Sequence, residues 1–290
     1  MSAVVADVRY KTLPAGSPAH RQVLAEFFIA THLEYDPDGI VWPTLAQEEL
    51  ERLTRLPFWQ EAVSTENITS KTVTAAAALE HDPKLRRAIA LQGLEEHRHG
   101  RLLAGLTAHY GIPIEFPAPH TPVALEAEFL FAGFGECFDA FFAFGLFALA
   151  RDSGFFPAAL ARVFEPVMQE EARHILFFVN WVRARRAQLP WWKRPAFRIR
   201  CAWIIVKQIA SRVKTARTLG GGANGGQISS ENFTLTAHQE VGTSVTVHRL
   251  LEKCLMENAR RLAPYDPRLS RPRLVPAIAR MLYRLWPKRI

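Results

Sequence analysis

Glu95-Glu96-His97-Arg98-His99 and Glu170-Glu171-Ala172-Arg173-His174 share one pattern, Glu-Glu-x-Arg-His. Both stretches lie in sequence that reads as long helix. Glu96 and His99 stand three residues apart, as do Glu171 and His174. On a helix that spacing puts both side chains on one face, about one turn apart. A carboxylate and an imidazole on one face, supplied twice, hold two metal ions if the helices face each other. Such a site needs one further carboxylate from each of two other helices.

The neighbouring sequence supplies helices. Ser17-Pro18 reads as an N-cap with proline at the first position, opening a short helix through Phe27, Phe28 and Leu33 that stops near Asp36-Pro37-Asp38-Gly39. Thr44 and Gln47 have capping-box spacing and open another, to about Leu56. Pro57 starts a long helix to about His81. Asp82-Pro83 stops it and starts the next, which runs to Tyr110 and ends at Gly111. A proline-rich connection follows. Thr121-Pro122 opens a helix to Asp152, and Ser153-Gly154 breaks it. The fourth long helix spans about Phe156 to Leu189, with Pro166 inside. After Pro190 comes a helical run to about Leu219. The glycine-rich stretch 220–226 lacks the Lys-Ser/Thr ending of a phosphate loop and reads as a flexible connection. Ser229 to Glu231 offer a cap, and helices over about 237–262 and 272–286 complete the chain. No alternating strand pattern stands out. The expected fold is all-α: a four-helix bundle over 57–189, an N-terminal helical extension over 1–56, and a basic C-terminal helical extension over 190–290 packed on the core.

Depth along the helices selects the remaining ligands. Glu96 lies 13 residues into its helix from Pro83, and Glu66 lies 15 residues before His81 on the antiparallel neighbour. Glu61 and Glu80 miss that level by about 7 Å or more at 1.5 Å per residue. Glu171 lies 15 residues after Phe156, and Glu136 lies 16 before Asp152, whereas Glu126 and Glu128 lie too far back. The expected metal ligands are therefore Glu66, Glu96, His99, Glu136, Glu171 and His174.

Residues 129–150 are almost wholly apolar and long enough to cross a bilayer. Glu136 and Asp139 interrupt them, and a carboxylate at a bilayer centre costs about 2.5–3.5 kcal/mol. A helix buried in the bundle against a metal explains the run without that cost. With 49% apolar and 22% charged residues, the 290-residue chain can bury a sizeable soluble core. Three scattered cysteines argue against a disulfide scaffold and suit a reducing compartment. The first residues lack the order of a secretory signal, so a cytoplasmic protein is expected.

The net charge is +8, crowded after residue 183. A basic surface suits phospholipid, nucleic acid or an acidic protein. Trp191-Trp192-Lys193-Arg194 and the mixed aromatic, aliphatic and basic residues that follow suit either an interfacial helix, peripheral to the inner face of a membrane, or a helix packed on the bundle with its basic side chains outward.

The paired motifs and their intervals, 30 residues from Glu66 to Glu96 and 35 from Glu136 to Glu171, resemble the ferritin-like di-iron carboxylate superfamily over about residues 57–187. The Arg before each His and the acid before each ligand Glu resemble its oxygenases, among them the bacterial multicomponent monooxygenase hydroxylases and the aerobic cyclase of chlorophyll synthesis. The resemblance implies that Glu95 and Glu170 bond the outer nitrogens of His174 and His99, with Arg98 and Arg173 beside them. It departs at Leu103, where ribonucleotide reductase small subunits carry a radical-forming Tyr, and at Ala140, where oxygenases carry Thr. Asp139 beside it reads as a proton-relay group or a buried hydrogen-bonded acid.

Four carboxylates and two imidazoles suit Fe or Mn rather than structural zinc. Two Fe, or an Fe/Mn pair, are expected. Small and apolar same-face neighbours, Thr69, Val73, Leu103, Ala132, Ala140 and Ala143, suit either a cavity for an apolar substrate or a filled core. The expected function is a di-iron oxygenase or oxidase that uses O₂ and an external electron donor on a hydrophobic small organic or lipid-like substrate. The alternatives are a ferritin-like iron oxidation and storage protein, disfavoured by the roughly 100 residues after the bundle, and a tRNA-modifying di-iron hydroxylase, favoured only by basic charge.

Overall fold

The computed structural model describes residues 12–56, 58–116, 118, 120–220 and 246–285, the side chains of 215–220 excepted. These residues form helices and no strand. In chain order they are α1 (Pro18–Ala30), α2 (Gln47–Thr54), α3 (Trp59–Ala76), α4 (Pro83–His109), α5 (Leu125–Asp152), α6 (Ala158–Gln188), α7 (Arg194–Gly220), α8 (Val247–Leu262) and α9 (Leu274–Leu285). The all-α expectation holds.

Several helix ends differ from the sequence expectation, and glutamates explain most of them. The helix expected to reach His81 ends at Ala76 and tightens into a 3₁₀ turn over Ala77–Leu79. There the buried Glu80 accepts from the N–H groups of His81 (2.9 Å) and Asp82 (3.1 Å) and from Trp181 Nε1 (3.1 Å). α5 starts at Leu125 rather than at Thr121-Pro122, because Glu128 reaches back to the N–H groups of Val123 and Ala124 at 2.9 and 2.8 Å. α2 starts at Gln47, with Glu49 accepting from Ala46 N–H at 2.9 Å; Thr44 lies outside it. Ser17 caps α1 and Asp82 caps α4 as the sequence suggests. Thr246 caps α8; the expected start near 237, the stretch 221–226, the cap at 229–231 and Pro57 lie outside the described residues.

α3 pairs with α4, and α5 with α6; α3 also packs on α5, and α4 on α6. Close approach between α3 and α4 needs Gly93, where a Cβ would stand 2.4 Å from Thr74 Oγ1. α1 covers α4 and α6, seating Leu24 and Phe28 in the core. α7 and α8 lie along α5. α5 is long and apolar enough to cross a membrane, and 61% of its most apolar window is buried inside the chain. Phe129, Phe138, Phe141 and Phe144 are all buried, each contributing about 1.5–3 kcal/mol by leaving water. No disulfide joins the three cysteines.

Candidate metal centre

The helical period turns Glu96 and His99 of α4, and Glu171 and His174 of α6, into the space between the four long helices. Glu66 of α3 and Glu136 of α5 meet them there. The six side chains form two groups: Glu66, Glu96, His99 and Glu171, and Glu96, Glu136 and His174. Within each, one ligand atom per residue lies within 4.8 Å of the others. His99 Nδ1 stands 3.3 Å from Glu171, 3.7 Å from Glu66 and 3.8 Å from Glu96. His174 Nδ1 lies 2.8 Å from Glu96 Oε1 but out of line for a hydrogen bond.

Adjacent positions on α4 and α6 point elsewhere. Glu95 bonds His174 Nε2 at 2.7 Å, and Glu170 bonds His99 Nε2 at 2.8 Å. Each histidine is thus held by an acid of the opposite helix. The motif arginines hold those acids. Arg173 donates to Glu95 (2.8 Å), to Thr31 Oγ1 (2.8 Å) and to Phe28 O (2.7 Å). Arg98 donates to Glu170 and to Leu33 O and lies over the Tyr35 ring. His97, at the variable position, is exposed.

The electrostatics are those of a crowded anionic cluster. Burial pushes the Glu66 carboxyl up to about 8; Glu96 and Glu171 repel its charge, and His99 opposes the rise. Burial and the charges of Glu96 and Glu171 push Glu136 well above the ordinary carboxylate range. Burial would also raise Glu95, but His174 and Arg173 hold it at about 2. For both histidines burial favours the neutral ring, yet their carboxylate neighbours raise them well above 6.5.

These residues fit a metal pair. Glu66 Oε2, Glu96 Oε1, Glu136 Oε1, His99 Nδ1 and His174 Nδ1 are buried without hydrogen-bond partners. Buried polar atoms without partners are rare and each costs about 1–3 kcal/mol. Here five of them converge, and all are O or N donors of the kind that bind divalent cations.

Two cavities adjoin the cluster. One, about 170 Å³, is almost wholly apolar, is lined by Trp59, Leu102, Leu103, Phe147 and Phe164 among others, and reaches Glu66 and His99. The other, about 270 Å³, is lined by Thr69, Ala132, Ala140, Glu136 and Glu171 and ends at Asp139 and Arg212. Glu66, Ala143, Val167 and Met168 border both. Of the expected pocket residues, Val73 lines neither and is packed in the core at 0% exposure: it shares the face of Glu66 but lies two turns, about 10 Å, further along α3. Asp139 accepts from Arg212 at 2.6 Å.

Sequence reasoning missed several contributors. His32 bonds Glu95, and Tyr35 donates to Glu170 at 3.1 Å; burial first, and Glu170 with it, pushes the Tyr35 phenol up to about 12, so it stays a donor. Phe28 stacks on His174, with centroids 6.0 Å apart. Gln92 donates to Glu136 at 3.4 Å. Gln208 and Arg212 reach in from α7. Gln92, one turn before Glu96 on the motif face, is the one that spacing could have found.

No protein-family model, curated protein or solved structure matches the chain.

Proposed function

We propose that the chain is a ferritin-like four-helix-bundle enzyme with a di-iron carboxylate centre, an oxygenase or oxidase acting on a hydrophobic small organic or lipid-like molecule. The observation that carries this reading is the convergence of five buried, unpartnered ligand atoms from four helices. Glu66, Glu96, His99 and Glu171 would hold one ion, and Glu96, Glu136 and His174 the other. Iron bound there would supply electrons for the reductive activation of O₂.

The chain's own residues do the rest. Glu95 and Glu170 accept the Nε2 protons of His174 and His99, leaving each Nδ1 lone pair free for a cation. Arg98, Arg173, His32 and Tyr35 hold those two acids and close the α1 side with hydrogen bonds. The apolar cavity reaches the cluster at Glu66 and His99 and would take an apolar substrate while excluding water. Such a centre would also call for an external electron donor as partner.

The test begins with metal content. Anaerobic reconstitution with ferrous iron should load two ions per chain, and admitted O₂ should then be consumed with a change in the optical spectrum. Loading of one ion or none, or an iron-loaded protein inert to O₂, would remove the reading. A large hollow assembly holding many irons per chain would mark storage instead.

A further inference from the structure

α7 carries two unlike faces. Phe197, Ile204, Gln208 and Arg212 are buried. Trp192, in the 3₁₀ turn that leads into the helix, and Ile199, Trp203, Val206 and Val213 are exposed by 62, 69, 59, 54 and 44%. The exposed residues recur at intervals of seven, four, three and seven. At about 100° per residue they fall in one stripe about 80° wide, opposite the buried face. Lys207 and Lys214 border it on one side and Arg198 on the other. The Lys207 ammonium lies 5.5 Å from the centre of the Trp203 ring.

Such a stripe is costly in water and has a chemical complement. Residues 172–230 contain twelve Lys and Arg and no Asp or Glu. We propose that this face of α7 is a membrane-docking surface that lies in the headgroup region of a bilayer containing anionic phospholipid. Tryptophan suits the polar–apolar boundary, aliphatic side chains suit the acyl region below it, and flanking lysines suit anionic headgroups. A second copy is a poorer occupant: an isologous contact would set the same cationic borders against each other with no acid on the face to pair them. Nucleic acid would use the charge but gives Ile199, Val206 and Val213 nothing apolar to enter. The inward side of α7 brings Gln208 and Arg212 to the cavity beside the metal ligands, so docking would set that cavity near the lipid. Docking itself needs no metal and stands independently of the proposed chemistry.

The test is flotation of the full-length protein with phosphatidylcholine vesicles and with vesicles containing phosphatidylglycerol. Binding is expected to the anionic vesicles and not to the neutral ones, and to weaken at high salt as charges are screened. Lys207→Gln and Lys214→Gln should each weaken the partition about fivefold. Ile199→Ser, Trp203→Ser and Val206→Ser together should abolish flotation without changing the thermal melt, because these side chains are exposed. No flotation with either vesicle would overturn the proposal, as would undiminished flotation of the triple variant. So would sedimentation showing that the triple substitution only dissolves an oligomer, or retention on a polynucleotide without flotation.

Discussion

Replacing Glu66 by Gln separates a metal site from an ordinary buried hydrogen-bond network. In the metal-free protein, burial and the charges of Glu96 and Glu171 lift the Glu66 carboxyl from 4.5 to about 8. At pH 7 the folded chain therefore holds a proton that the unfolded chain has released. Holding it across the 2.5 pH units from 4.5 to 7, at about 1.36 kcal/mol each, costs about 3 kcal/mol. Gln fills the same volume and never ionises, so that cost disappears; some is returned because Gln lacks the charge that attracts His99. The metal-free Glu66→Gln variant should thus be about 1–3 kcal/mol more stable than wild type at pH 7. The direction of the pH effect follows. Wild-type metal-free protein should lose stability as pH rises from 4.5 to about 8, and the variant should lose less. Urea denaturation after chelator dialysis measures this. Ferrous iron should stabilise wild type strongly and the variant weakly, with iron content per chain reduced. A variant that is less stable without metal yet binds iron normally would make Glu66 a structural acceptor and not a ligand.

Four further outcomes follow from other parts of the molecule. Arg173→Met leaves the Glu95 carboxylate, which is 0% exposed, without its guanidinium; a loss of about 3–5 kcal/mol is expected in urea unfolding, and a loss below 1 kcal/mol would contradict the burial argument. Gly145→Val puts a Cβ 2.3 Å from Cys254 Sγ and 2.8 Å from Cys254 N, so α5 and α8 must part and about 1–3 kcal/mol or more should be lost in thermal denaturation. Met168→Trp fills the wall common to both cavities, and should keep iron loading while cutting turnover of, or affinity for, an apolar substrate. His20 accepts from Gly16 N–H at Nδ1 and bonds Asn180 Oδ1 through Nε2, and burial first, with Arg183 adding to it, holds its pKa below 6.5; its own contribution should oppose folding as pH drops below 6.5, read as a wild-type stability that falls relative to His20→Gln along that limb.

The sequence made legible what a helix fixes locally. The spacing of Glu96 and His99, the matching spacing of Glu171 and His174, and the depth of Glu66 and Glu136 all follow from a constant rise and period, so the six side chains could be gathered before any contact was known. Helix ends were less legible, because Glu80 and Glu128 reach back to backbone N–H groups and override nearby proline and threonine signals. The cavity walls were legible where the long helices supply them, at Thr69, Leu103, Ala132, Ala140 and Ala143, but not where other segments do. His32 and Tyr35 arrive on the segment after α1, and Arg212 meets Asp139 from 73 residues away; no local pattern encodes where such segments pass.

The doubled glutamate also bears on folding. Adjacent helix positions point about 100° apart, so Glu96 and Glu171 face the cluster of candidate ligands while Glu95 and Glu170 face the opposite histidine. The two outer bonds cross between α4 and α6. A one-turn slip of α4 along α6 would shift both by about 5.4 Å and strand Glu95, His99, Glu170 and His174, all buried, without partners. Buried ionisable groups without partners cost several kcal/mol each, so the residues that orient the ligands also fix the register in which the two helices pack.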